Sequence, residues 1–278
     1  MNIIILNDTS KYHYGSNHVI NFLKDNFKEH NVTLYKKTKE HLLQGNDILV
    51  INGEGTMHDD AKKAKTLINL AVHAKQDLSM KVMLVNSVWQ RNNEELTKKL
   101  EMFDYVSVRE ILSKQEIDNV IDIPVDVNLD FSYYLDVPYQ SYPTTNIVAG
   151  NYYVAKSKKE GSVLISGIGE DSTIDIFNEE WNTVVNKLRH ANVLVTGRHH
   201  EMYAACKAEC PFIVMEGNTH KNSGLFKTFG VDIPVLPIDA SNNDIKNAIS
   251  NLNQYTEEYK KLFQLMKSKS IPNLLQKI

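Results

Sequence analysis

Cysteine is nearly absent from this chain of 278 residues: Cys206 and Cys210 are the only two. Their spacing fits neither a zinc site nor a secreted disulfide framework, so they read as buried, reduced thiols, and the expected compartment is the cytoplasm. Long apolar runs are missing too. No segment approaches the roughly 20 apolar residues that cross a bilayer, and the opening MNIIILND has no basic leader and too short an apolar stretch for a signal peptide. Charge of one sign is not in excess, with 31 basic against 34 acidic residues and a net charge of -3. That balance argues against a broad nucleic-acid face and leaves room for a local anion site. With 42% hydrophobic and 23% charged residues, the composition is that of a globular protein, long enough for two domains.

What is present is alternation. Short β-branched runs, NIIIL (2–6), VTLY (32–35), DILVIN (47–52), KVMLVN (81–86) and YVSVR (105–109), are separated by amphipathic stretches. In NHVINFLKDNF, Val19, Ile20, Phe22, Leu23 and Phe27 recur at helical spacing. Residues 133–153, with two prolines, scattered Tyr and no period, read as a linker. Alternation resumes with SVLISG (162–167), a helix near 175–189, NVLVTG (192–197), a helix near 199–208, FIVME (212–216), a helix near 220–229 and VLPI (235–238). Gly230 is a helix stop, and two helices, about 241–252 and 255–268, close the chain. This pattern predicts an α/β protein of two doubly wound parallel-sheet domains, residues 1–140 and 141–278, facing across a cleft. Ligands of such sheets bind where carboxyl strand ends meet helix N-termini.

The loops at those ends are rich in polar and small residues. In NGEGTMHDD, Gly53 and Gly55 flank Glu54, so the backbone can approach a ligand beside a carboxylate, with Thr56 as the alternative helix cap. His58, Asp59 and Asp60 suggest a metal less than they suggest the acidic first turn of a helix. TGRHHE sets Arg198 and His200 at a strand end that opens a helix, where the dipole, the guanidinium fork and an imidazole together suit an anion; His199 reads as a core residue. EGNTHKNSG repeats the plan, with Glu216 closing the strand, Asn218 as cap and Lys221 in the first turn, where a cation opposes the helix dipole unless an anion is near. Tyr14, Gly15, Ser16 and Asn17 start another helix, and Asn86 opens the NSVWQ loop. Arg109 is either an anion contact or a structural ion-pair partner. The glycines of SGIGED lack the third member of a dinucleotide fingerprint.

Taken in order, GSNH, NGEGTMHDD, NSVWQ, VSVRE, NLDFSYY, TGRHHEMYAAC and PFIVMEGNTHKNSGL resemble the polysaccharide pyruvyl transferase family over about residues 1–230. Arg198, His200, Asn218 and Lys221 fall on the family's pattern, whereas Glu54 stands where many members have another glycine. The resemblance implies a GT-B type fold of two Rossmann-like domains, an acceptor side and a donor side, with terminal helices returning to the first domain. It also implies transfer from phosphoenolpyruvate to sugar hydroxyls as a pyruvate ketal.

That chemistry asks for cations at a phosphate and a carboxylate, for which Arg198, Lys221 and Arg109 are candidates, with Asn218 and Glu216 beside them. It asks for an acid to protonate the enol carbon, His200, and a base for the incoming hydroxyl, Glu54 or His58. Tyr14, Gly15, Ser16, Gly53, Gly55, Thr56 and Asn86 are the expected acceptor contacts. No cofactor and no metal are expected. The same residues would serve a nucleotide-sugar glycosyltransferase acting on a glycan, a lipid-linked sugar or, less in keeping with the acidity, a hydroxylated nucleic acid base. A sugar-binding module without catalysis would not need an Arg-x-His pair beside a carboxylate loop.

Overall fold

The computed structural model describes residues 1–36, 39–154 and 162–278, which fall into two compact units. One comprises residues 1–11, 19–131 and 271–278; the other comprises 12–18 and 132–270.

The first unit is built on β1 (Asn2–Leu6), α1 (Tyr14–Asn26), β2 (Asn31–Tyr35), β3 (Ile48–Glu54), α2 (Lys62–Gln76), β4 (Lys81–Ser87), α3 (Glu94–Lys98), β5 (Tyr105–Val108), α4 (Ile111–Asp118) and β6 (Val125–Val127). The division between the units runs through α1, whose residues 14–18 group with the second. The six strands form one sheet in the order β2-β1-β3-β4-β5-β6, parallel throughout. Strands such as Ile48–Glu54 are buried along their whole length, which is why they read as continuous apolar runs rather than alternating ones. α2 covers the sheet with Leu67, Ile68 and Ala71, all fully buried.

The second unit contains β7 (Thr145–Ala149), β8 (Asn151–Tyr153), β9 (Ser162–Leu164), β10 (Ser172–Thr173), α5 (Trp181–Leu188), β11 (Ala191–Thr196), α6 (His199–Ala208), β12 (Phe212–Met215), α7 (Lys221–Phe229), β13 (Val235–Leu236), α8 (Asn242–Ser250) and α9 (Thr256–Lys267). Its parallel sheet runs β10-β7-β11-β12-β13, the same order as the first five strands of the other unit. The α/β class of two parallel-sheet units expected from the sequence is the one found. α7 ends at Gly230, whose backbone is left-handed (φ 59°), and α6 ends the same way at Glu209 (φ 57°).

Three local readings change. The segment read as a linker contains β7, a central strand bordered by β10 and β11; its only apolar text is Ile147 to Ala149, too short to stand out among prolines and tyrosines. SVLISG supplies no strand to the large sheet. Its first residues pair antiparallel with β8 instead. The first sheet also gains an edge strand, β6, whose three residues VDV are too short to stand out in the sequence. Among the described residues no helix is long and apolar enough to cross a membrane.

Candidate functional site

In each unit the strand order reverses beside its first strand, between β1 and β3 and between β7 and β11. A doubly wound sheet opens a crevice at the carboxyl ends of such a pair, and most of the residues singled out in the sequence lie at these ends.

In the first unit the backbone is left-handed at the ends of three neighbouring strands, at Asn7 (φ 66°), Glu54 (φ 41°) and Asn86 (φ 53°). Such conformations cost a non-glycine residue about 1 kcal/mol or more and cluster at functional sites. Asn7 donates from Nδ2 to the Asn52 carbonyl at 2.6 Å and toward Thr56 Oγ1 at 3.3 Å. Asn52 donates to Thr9 Oγ1 at 3.3 Å and to Glu54 Oε2 at 3.4 Å. Asn86 accepts the Phe131 amide at 3.0 Å. Asn7 Oδ1, Asn52 Oδ1 and Asn86 Nδ2 are buried with no partner among the described residues, so the crevice retains polar atoms that a ligand could satisfy. Gly53 is required by packing, because a methyl there would strike the Ser87 side chain, whereas Gly55 has open space around its α-carbon.

His58 hydrogen-bonds through Nδ1 to Asp59 Oδ2 at 2.6 Å. Arg91 grips the same carboxylate with Nε at 2.5 Å and a terminal nitrogen at 2.8 Å. The Arg91 bond, followed by that of His58, holds the Asp59 carboxyl well below the usual carboxylate range. An ionised Asp59 fixes the proton of His58 on Nδ1 and leaves Nε2 as the acceptor. Asp59 and Asp60 do not join the first turn of α2. Both have left-handed backbones and bind the 91–93 loop, Asp60 through the amide and side chain of Asn93. Arg109 is paired at 2.6 Å with Asp130, both sealed from solvent. Its charge is therefore already met, and it drops out of the anion contacts.

In the second unit Arg198 caps the start of α6 with its main chain, its amide donating to Thr196 Oγ1 at 2.8 Å. Its guanidinium is half-buried and forms no ion pair among the described residues. His200 is buried, with its ring edge-on to His13 at 4.8 Å between centroids. A methyl at Gly15 would collide with the His200 ring, so only glycine allows this approach. Tyr14, Gly15 and Ser16 thus group with His200. The Ser16 amide donates to His13 Nδ1 at 3.1 Å, and Tyr14 lies against Trp181. Burial, reinforced by Glu201, lifts the Tyr14 phenol well above its ordinary range.

Lys221 is the first residue of α7 and reaches Asn218 Oδ1 at 2.9 Å. The expected cap at Asn218 is displaced, because α7 begins after His220. Glu216 takes that task by accepting from the Ser223 amide at 3.3 Å and its neighbour Gly217 at 3.2 Å. It faces helix amides rather than an anionic donor. In SGIGED the loop amides of Gly167 and Ile168 are occupied by the Glu170 carboxylate, at 3.1 and 3.0 Å.

Sequence reasoning missed Asn7, Asn52, Arg91 and, above all, Glu201. The Glu201 side chain is fully buried between the carboxyl ends of β7 and β11. Oε2 accepts from the Asn151 amide at 2.8 Å and lies 2.5 Å from Thr196 Oγ1, while Oε1 has no partner among the described residues. Burial pushes this carboxyl up to about 8, against the opposing pull of Thr196, Asn151 and Arg198.

Several solved structures share the fold. An uncharacterized protein of Klebsiella pneumoniae is 18% identical, with a TM-score of 0.56 over 86% of this chain and 93% of that one. The UDP-N-acetylglucosamine 2-epimerase of Neisseria meningitidis, bound to its UDP-sugar, is 10% identical with a TM-score of 0.54 over 95% and 94%. The spinosyn rhamnosyltransferase is 8% identical with a TM-score of 0.54 over 99% of both chains. At these identities the likeness is one of fold, the GT-B type of glycosyltransferases and epimerases. No curated protein sequence matches the chain. The model of one family does match it, over residues 2–219, a span that takes in both the His58 and the Arg198 loops, and the chain therefore belongs to the polysaccharide pyruvyl transferase family.

Proposed function

We propose that this transferase moves pyruvyl from phosphoenolpyruvate to two hydroxyls of one sugar. The first hydroxyl loses its proton to His58, oriented by Asp59 and Arg91, and its oxygen bonds to the enol carbon that carries the phosphate. His200 gives a proton to the methylene carbon, which becomes a methyl group. The phosphate then departs with its bonding electron pair, and the second hydroxyl closes the ketal, its proton leaving with phosphate. Arg198 and Lys221 hold the donor's negative charge, and Asn218 fixes the Lys221 ammonium. Asn7, Asn52, Glu54, Thr56 and Asn86 contact the acceptor. The His58 ring, oriented through Nδ1 by Asp59, favours His58 as the base. We place the enzyme in the cytoplasm, in keeping with Cys206 and Cys210, both free and buried.

The strongest single support is Arg198, a half-buried cation with no ion pair among the described residues, at a strand end and helix start. A second reading, glycosyl transfer from a nucleotide sugar to a glycan or a hydroxylated base, is favoured by the UDP-sugar held by the Neisseria epimerase of similar fold. Thermal shift separates the two. At 100 times its dissociation constant a donor stabilises the folded protein by about 2.7 kcal/mol. Stabilisation by phosphoenolpyruvate is expected, and stabilisation by UDP or a UDP-sugar alone would reverse the assignment.

A further inference from the structure

Glu201 occupies the reversal point of the second sheet. Its Oε2 meets the amide that follows Gly150, at the end of β7, and the hydroxyl of Thr196, at the end of β11. The approach is so close that a methyl at Gly150 would strike the carboxylate. Thr196 in turn receives the Arg198 amide and lies 3.2 Å from the Asn151 carbonyl. A threonine hydroxyl has a single proton. The Asn151 carbonyl also accepts the Gly197 amide at 2.8 Å, so the Thr196 proton is free to serve Glu201 Oε2. A proton on the carboxyl is favoured by its complete burial: ionisation would leave charge on a fully buried Oε1 that has no hydrogen-bond partner among the described residues.

We propose that Glu201 is a positioning residue for Arg198, working in its neutral, proton-bearing form to lock Asn151, Thr196 and the Arg198 main chain into one hydrogen-bonded unit. The groups that face it are Arg198 at the N-terminus of α6, Asp175 from the segment before α5 and Tyr14 from the first turn of α1, with His200 beside it on α6. Arg198 favours the ionised carboxylate, Asp175 opposes it, and burial outweighs both. The inference rests on the reading of Arg198 as a donor contact only for its effect on binding.

The test follows the Arg198 amide resonance of the full chain by NMR from pH 6 to 9.5, in the native protein and in Glu201→Gln. Phosphoenolpyruvate binding is measured by calorimetry on the same samples and on Glu201→Ala. The amide should titrate with a midpoint near 8 in the native protein and stay flat in Glu201→Gln. Donor affinity should fall at least fivefold between pH 7 and 9.5 in the native protein and less than twofold in Glu201→Gln. At pH 7 the glutamine variant should bind within twofold of native and the alanine variant at least tenfold more weakly. An Arg198 amide that titrates equally in native protein and Glu201→Gln, or does not titrate in either, overturns the inference. Absence of donor binding in every sample while the Arg198 amide titrates as expected would instead overturn the proposed function and uphold the role of Glu201.

Discussion

Replacing Glu201 by glutamine should change how stability depends on pH, and the size of the change follows from burial. A glutamate in the unfolded chain titrates near 4.5, whereas burial pushes Glu201 up to about 8. Between those values the folded protein binds the proton that the unfolded chain has released, so stability falls as pH rises through this window. Below it both states are protonated and the term vanishes; above it both are ionised and the loss is complete. At about 1.4 kcal/mol for each tenfold difference in proton affinity, the full loss is about 4 to 5 kcal/mol. Glutamine keeps the shape and does not titrate. The assay is urea unfolding of the second unit at pH 5, 6.5 and 8, read from Trp181 fluorescence on a Trp89→Phe background that silences the only other tryptophan. Glu201→Gln should gain on the native protein by several kcal/mol between pH 5 and 8. A difference that stays constant across those three pH values would show that Glu201 is not held neutral, and the reasoning from its burial would fail.

Other perturbations test other parts of the account. Asp59→Asn should lower turnover at least tenfold, and His58→Ala about 100-fold, each with an unfolding midpoint near native; normal turnover in His58→Ala would return the role of base to Glu54. Arg109→Met should destabilise the first unit by about 3 to 5 kcal/mol in urea unfolding, because it strands a buried Asp130 carboxylate; a loss under 1 kcal/mol would mean that the pair is not sealed. Gly15→Ala should cost about 1 to 3 kcal/mol by overpacking against His200 and reduce turnover with it. A silent Gly15→Ala would show that the ring is free to move aside.

The sequence showed the large sheets wherever a strand is buried on both faces, because Ile3 to Leu6, Ile48 to Ile51 and Val82 to Val85 must all be apolar there. It hid β7, which is equally central, since only Ile147 to Ala149 carry the signal within a run of tyrosines and prolines. Arg198, Lys221 and His58 were legible because charged or protonatable groups at strand ends are informative in themselves. The partner of Arg109 was not, since Asp130 comes from a segment 21 residues away. Glu201 was hidden for a different reason. An acid in the first turn of a helix is favoured by the dipole whether it faces water or the core, and only the approach of β7 and β11 shows that it faces inward. Tyr14 to Ser16 follow β1 in the chain, and by sequence alone they stand as acceptor contacts of the first half. Their grouping with the second unit depends on where α1 begins relative to Trp181 and His200, which spacing cannot reveal.

Calorimetric titration of phosphoenolpyruvate into the native protein and into Arg198→Ala at pH 7 tests the central claim most directly. Saturable binding to the native protein that weakens at least tenfold in the variant is the predicted result. Equal affinity in both proteins, or no heat with phosphoenolpyruvate beside clear binding of a UDP-sugar, would contradict it.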